Sequence, residues 1–460
     1  MHSYKNNEAY PIFFLSLVLI LTLAIHLSLI LPIGFISDDY ALIQSAKEGK
    51  SLWSLHFSPI LSWLWQLTAH GSFNPFEWHL LALFFHYVNA VLVYLIAWQL
   101  CKLAPQASAT AALLYALNPA GMEAIAWCCS LGYVITSTWI LLGIYSLSFY
   151  SADSPKTAWK YSLGWALLQL IAFLTWDWGI LLFPVLFMFA LVKTPTKRQN
   201  NLLIFCPIAT VWLFGLLLRL TSQYQTGWQT NALSTKMMFF FGSPLLGLLS
   251  NASKSFFLSP WGMAMDLILL GLLAAAARRS KMALGMVLAY GICILPWVNG
   301  GNPSSRYFYI PMVFIYLGLA MAAAQANYRK IAAILINLLL ALELIFAYQR
   351  AVLWNGAYHQ AQKLKTQVEE IAGTSNDPVV IVNLPEAYGP ESLPMRPQMW
   401  YCGFDTLFPI IETAKTGHCP FLWRNSASDD KQTLASQYPQ KSIYEVIDQD
   451  GSFFLVPVKK

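Results

Sequence analysis

Asp38 and Asp39 stand side by side just behind the first hydrophobic span, in Pro32-Ile33-Gly34-Phe35-Ile36-Ser37-Asp38-Asp39-Tyr40. Carboxylates at a bilayer edge are costly unless they face water or a partner, so an ionisable pair there marks a site. Neighbouring helical residues point about 100° apart, so the two acids do not aim at one atom if the segment is helical. One, Asp38, is the candidate for activating an acceptor or holding a metal; the other caps or orients the helix that follows, a role Asp fills well. A further carboxylate, Glu123, follows Asn118-Pro119-Ala120-Gly121-Met122, where Pro and Gly interrupt a span. It is either an ordinary turn acid or a partner of Asp38, since two converging carboxylates can serve as base and as metal ligand or substrate anchor. Arg306, in Gly300-Gly301-Asn302-Pro303-Ser304-Ser305-Arg306-Tyr307-Phe308-Tyr309, has a guanidinium suited to bidentate phosphate contact. Its alternative is a snorkelling arginine in an aromatic belt. Asp177, in Thr175-Trp176-Asp177-Trp178-Gly179, meets substrate or caps the next span. His86 and Asn89 lie well inside the second span, where interhelical polar contacts are the ordinary use of such residues.

The elements that must position these residues are membrane helices. The chain has 460 residues, 57% hydrophobic and 11% charged, against about 25% charged in soluble domains, and its mean hydropathy is +0.51. The net charge of +6 is modest, and no basic block or basic-aromatic array points to nucleic acid, so no nucleic-acid partner is expected. The first span, Pro11 to Leu31, has a weak basic flank and no small-residue cleavage site, so it is a retained anchor. Eleven spans are expected, over 11–33, 78–101, 105–119, 130–150, 160–175, 179–192, 202–220, 262–277, 282–298, 307–325 and 331–349. Lys193, Lys197 and Arg198, then Arg278, Arg279 and Lys281, then Arg329 and Lys330, mark short cytoplasmic loops. With the N-terminus inside, the Asp38-Asp39 loop, the turns at Glu123, Asp177 and Arg306, and the C-terminal tail are extracytoplasmic. The apolar stretch Met237–Leu258 would break this parity as a span and is expected to be interfacial or re-entrant.

Residues 1–350 form the expected membrane domain and 351–460 a small α+β domain on the extracytoplasmic side. In the latter, 351–373 reads as helix and Val379–Val382, Ser442–Ile447 and Ser452–Val458 as strands, the last two joined by the turn signal Asp448-Gln449-Asp450-Gly451. Pro457 assigns the last strand to a sheet edge. Five cysteines lie in or beside spans as small apolar fillers, and none has zinc spacing. Cys402 and Cys419 lie in the tail and are expected to form a disulfide in an oxidising compartment.

Taken in order, these pieces resemble the GT-C superfamily of polyprenyl-phosphate-sugar-dependent glycosyltransferases, which includes protein O-mannosyltransferases, oligosaccharyltransferases and aminoarabinose-lipid A transferases. The resemblance covers roughly 10–350. It runs through Asp38-Asp39, His79-Leu80-Leu81-Ala82-Leu83-Phe84-Phe85-His86-Tyr87-Val88-Asn89-Ala90, Ala116-Leu117-Asn118-Pro119-Ala120-Gly121-Met122-Glu123-Ala124-Ile125-Ala126-Trp127 and Arg306-Tyr307-Phe308-Tyr309-Ile310-Pro311. The family's frequent His before the Pro is Asn118 here, its Lys-Glu pair after the fifth span is Trp176-Asp177, and no tetratricopeptide repeats follow. The resemblance implies a catalytic role for Asp38 and Asp39, with Asp38 the base or metal ligand and Glu123 the second acidic residue of the site. Arg306 would meet the donor phosphate, with Tyr307, Asp177 and His86 as further substrate-binding candidates. A divalent cation, Mg or Mn, held by Asp38 and Glu123 would be the cofactor. No nucleotide cofactor is expected, because the chain has no Walker or Rossmann glycine motif. The partners would be a polyprenyl-phosphate-linked sugar, an extracytoplasmic acceptor (protein, lipid or glycan) and membrane lipid, with the chain in a bacterial inner membrane. The rival readings are a transporter or flippase for a lipid-linked glycan, whose expected internal symmetry is not seen, and a non-catalytic assembly subunit.

Overall fold

In a computed structural model, the described residues are 9–49, 58–150, 155–193, 204–221, 248, 259–298, 304–325, 329–374, 379–382, most of 387–399, 442–449 and 452–457. The protein is an α-helical polytopic membrane protein with a small C-terminal sheet. Its helices are α1 (Ala9–Ile25), α2 (Asp38–Lys47), α3 (Pro59–Ala69), α4 (Pro75–Leu95), α5 (Pro105–Leu117), α6 (Met122–Ala126) and α7 (Leu131–Ser146). They continue as α8 (Pro155–Thr175), α9 (Leu182–Lys193), α10 (Cys206–Thr221), α11 (Pro260–Arg279), α12 (Lys281–Val298), α13 (Pro311–Gln325) and α14 (Arg329–Thr374). Each of the eleven expected spans falls on one of these helices. Segments Phe13–Ile30, Pro75–Leu100, Cys128–Ser146, Pro260–Arg279 and Lys330–Ile371 are long and apolar enough to cross a membrane, and Cys206–Leu218, Lys281–Leu295 and Pro311–Gln325 are shorter apolar helices. Most of the stretch 237–258, and both Cys402 and Cys419, lie outside the described residues.

Local sequence explains the helix starts. Pro opens α3, α4, α5, α11 and α13, where its missing N–H would be unpaired in any case. Asn74 and Glu77 close a capping box on α4: Asn74 Oδ1 accepts from Phe76 N–H at 2.9 Å and Glu77 accepts from Asn74 N–H at 2.8 Å. Glu77 is thereby committed to the helix end. Lipid supplies no partners for backbone groups, so the spans must satisfy them within each helix. Apolar side chains such as Phe84, Leu167, Leu267 and Leu338 project outward from the bundle, as a lipid-facing surface requires. The centre of the bundle is α5, buried along most of its length and packed by α1, α4, α13 and α14.

α14 is 46 residues long, about 69 Å at 1.5 Å per residue, more than twice the ~30 Å of bilayer hydrocarbon. It runs unbroken across position 350, so its C-terminal part stands beyond the membrane. There it carries a three-stranded sheet in the order β1 (Val379–Val382), β2 (Ser442–Gln449), β3 (Ser452–Pro457). β1 and β2 pair in parallel and β2 and β3 form the hairpin that the Asp448–Gly451 turn predicts, with Gln449 opposite Ser452. Pro457 lies on the edge strand.

Candidate active site

Three stretches far apart in sequence meet at one end of the bundle: the turn 33–40, the segment 118–130 and the turn 304–309. The middle one joins the other two. At its start, Glu123 is 4% exposed and both its oxygens are occupied. Oε1 accepts from the Ser304 hydroxyl and, at 2.7 Å, from Arg306 Nη1; Oε2 accepts from the Ser305 hydroxyl at 2.5 Å and the Ser305 N–H at 3.0 Å. At its end, the N–H of Cys129 donates to Asp39 Oδ1 at 2.9 Å. Between them, the Trp127 indole N–H donates to the Ile36 carbonyl at 3.3 Å, while the Arg306 guanidinium lies over the Trp127 ring, 4.7 Å from its centroid. Trp127 thus touches the acidic turn along its edge and the cation on its face.

The two adjacent aspartates part company. Asp39 is fully buried, and its second oxygen accepts from the Ile36 N–H at 3.0 Å. It closes the turn before α2 and ties it to Cys129. Burial pushes its carboxyl well above the usual carboxylate range, against the pull of these two N–H donors. Asp38 is half-buried, with Oδ1 3.4 Å from the Ser37 hydroxyl. Ser37 itself has φ 54° and ψ −123°, a left-handed conformation that costs a non-glycine residue of order 1–3 kcal/mol and collects at functional sites. The strain is held by the Asp39 bonds on either side of it.

Arg306 is fixed on two sides, by Glu123 and by Trp127, and also lies 5.2 Å from the Tyr307 ring centroid. Its side chain keeps 18% exposure, so the fork is oriented yet reachable. Around it stand Tyr133, whose ring centroid is 6.2 Å from Tyr307, 5.7 Å from Trp176 and 6.1 Å from Trp178. These aromatics bring the turn Asp177–Leu181 to the same wall, with Asp177 buried at 3% exposure. Gly179 is required in that turn, because a Cβ there would sit 2.2 Å from the Ala172 backbone.

Glu123 and Asp38 do not share a role in this geometry: the described bonds of Glu123 all go to Ser304, Ser305 and Arg306. Among the described residues no three His, Cys, Asp or Glu side chains converge as a metal donor set. Glu123 is ringed by donors and Asp39 by main-chain N–H groups, so the residues present do not fit a cation held by Asp38 and Glu123. His86 is set apart from this cluster, inside the bundle. Its Nε2 lies 3.0 Å from the Ala116 carbonyl and so carries the proton, leaving Nδ1 to accept from the Tyr309 hydroxyl at 2.8 Å. Asn89 is similarly engaged with Val134 and Thr138. His86→Leu is therefore expected to lower stability by about 1–3 kcal/mol through the groups it leaves unpaired. Thermal unfolding in detergent checks it, and unchanged stability would contradict this structural role.

Several site residues escaped the sequence. Trp127, Ser304 and Ser305 lie in quoted motifs and Cys129 just beyond one, but none of them carries a spacing signal. Glu343, Arg350 and Trp354 share one face of α14 (i, i+7, i+11) and are buried; the Trp354 ring lies 6.0 Å from that of Trp127, centroid to centroid, tilted by 34°, and Glu343 meets the Tyr316 hydroxyl at 3.3 Å. No family model matches the chain, and no curated protein matches it. Its fold is similar to two solved structures of ArnT from Cupriavidus metallidurans. One, bound to undecaprenyl phosphate, has a TM-score of 0.47 at 15% identity over 98% of each chain. The other, in the apo state, has a TM-score of 0.47 at 14% identity over 97% of each chain.

Proposed function

We propose that the protein is an integral membrane glycosyltransferase of the GT-C type that moves a sugar from a polyprenyl phosphate, or pyrophosphate, to an extracytoplasmic acceptor. The observation that carries the reading is Trp127, which holds the Arg306 guanidinium on its face and the acidic turn on its edge. A phosphate-seeking cation and an acid suited to a base are thereby held around one residue at the end of a membrane bundle. A donor that is itself a membrane lipid reaches such a site from the bilayer, without any nucleotide-binding fold.

In the reaction, Asp38 accepts the proton of the acceptor hydroxyl or amine as that group attacks the anomeric carbon. The bond between that carbon and the phosphate oxygen breaks, and its electron pair leaves with the lipid phosphate. Arg306, pre-oriented by Glu123 and Trp127, stabilises the negative charge that develops there. Asp39 keeps the turn in place, Glu123 serves as the positioning partner of Arg306, and Tyr307, Asp177 and the aromatic wall line the approach to the sugar. Glu123, ringed by donors, is taken up by Ser304, Ser305 and Arg306 rather than offered to a metal.

The test is release of undecaprenyl phosphate from a panel of undecaprenyl-phosphate-linked sugars by the purified chain in proteoliposomes. At least one donor is expected to be consumed with transfer to a lipid or protein acceptor. Movement of intact donor across the bilayer, with no release of lipid phosphate, would favour a flippase and overturn the reading.

A further inference from the structure

One face of α14 grips the turn that carries Asp38. Asn355, Tyr358 and Gln362 lie at i, i+3 and i+7, on one side of the helix. Asn355 Nδ2 donates to the Leu29 carbonyl at 3.2 Å. Gln362 Nε2 donates to the Phe35 carbonyl at 3.4 Å and to the Tyr40 hydroxyl at 2.9 Å. Tyr358 presses on Gly34 so closely that a Cβ there would lie 2.6 Å from its ring. Lys365 adds its ammonium over the Tyr40 ring, 5.7 Å from the centroid. Phe35 and Tyr40 bracket Ser37, Asp38 and Asp39, so the helix holds the acidic turn at both ends.

A neighbouring face of the same helix is anchored elsewhere. Gln360 and Gln367 accept from the N–H groups of Phe453 and Leu455 at 3.2 and 2.8 Å, and the Lys363 ammonium lies 3.5 Å from the Phe454 ring centroid. The sheet thus braces the part of α14 that stands beyond the bilayer, which would otherwise be a free helix end. An amide donor on a braced helix is a fixed point; one on a free end is not.

We propose that Gln362 is a positioning residue of the active site, which fixes the Asp38 turn through Tyr40 and Phe35. The inference rests on the transferase reading above for its kinetic consequence, but not for its structural one. Gln362 touches neither donor nor acceptor; it acts through the turn.

The test uses the full chain in nanodiscs. Amide hydrogen exchange over 29–40 reports whether the turn is held, and kcat with donor KM reports whether the holding matters. Gln362→Ala is expected to speed exchange of that segment about tenfold, leaving the spans unchanged, and to lower kcat about five- to tenfold at constant donor KM. Tyr40→Phe, which removes a single hydroxyl, is expected to reproduce much of both effects, and the double variant to be no worse than Gln362→Ala. Unchanged exchange in both variants overturns the proposal, as does faster exchange with unchanged kcat. A rise in KM with constant kcat would make Gln362 a substrate contact instead, which also overturns it. If the wild-type chain transfers no sugar, the transferase reading fails, while the exchange arm still decides whether Gln362 holds the turn.

Discussion

Asp38→Asn is expected to abolish the proposed sugar transfer while the protein folds and inserts as before. The side chain is half-buried, and its described contact, with the Ser37 hydroxyl, survives in an amide of the same shape. The amide cannot take a proton, and general-base catalysis is worth about 10²–10⁴-fold in rate. The neighbouring substitution behaves differently. Asp39 accepts main-chain N–H bonds at both oxygens, and in Asp39→Asn one of these donors faces an NH₂ group. That leaves buried donors opposed, at a cost of about 1–3 kcal/mol, in a turn that already holds Ser37 in a strained conformation. Asp39→Asn is therefore expected to lower the yield of folded protein and its thermal stability. Turnover in proteoliposomes and unfolding in detergent, measured on both variants, separate the two roles. Near-normal turnover in Asp38→Asn would remove the base from the account.

Glu123→Gln is expected to weaken use of the proposed donor through Arg306. The carboxylate and the guanidinium are 2.7 Å apart at 5% and 18% side-chain exposure, and removing one partner of such a buried pair costs about 3–5 kcal/mol because the other charge is left uncompensated. The loss is expected partly as instability and partly as a donor KM raised about tenfold. Arg306→Lys keeps the charge but loses the planar fork that meets phosphate and Glu123 together. Residues acting as one unit are strongly non-additive, so the double variant is expected to be scarcely worse than Arg306→Lys alone. Full additivity in donor KM would mean that Glu123 does not act through Arg306. Combined with Asp38→Asn, by contrast, Glu123→Gln is expected to add its own defect, because one residue serves binding and the other the chemical step.

What the sequence made legible follows from the solvent. In lipid, apolar runs of sufficient length must be helices, so the eleven expected spans fall on helices, and the Asp448–Gly451 turn with Pro457 correctly gave the hairpin and its edge strand. The short helix α2 lies outside any apolar run and left no such signal, and α3, though apolar, is only 11 residues long, too short to read as a span. The pairing of Glu123 with Ser305 joins residues 182 positions apart, and that of Gln362 with Tyr40 joins residues 322 apart; nothing local encodes either. Hence the sequence leaves Glu123 open as a turn acid or a partner of Asp38, while in the structure its bonds go to Ser304, Ser305 and Arg306. The expected domain boundary at 350 follows the polar residues that increase after Arg350. In the structure α14 continues through it and Arg350 is 1% exposed, since one face of a long helix can stay in the core while the others turn polar.

The central claim is that Arg306 receives a lipid phosphate beside the Asp38 turn, and direct titration of the purified chain with polyprenyl phosphate tests it. Wild type is expected to bind the phosphate and not the corresponding polyprenol. Arg306→Ala is expected to bind at least about tenfold more weakly, the loss of a charged hydrogen-bonding contact, and Asp38→Asn to bind as wild type does. Equal binding of phosphate and alcohol, or undiminished affinity in Arg306→Ala, would contradict the account.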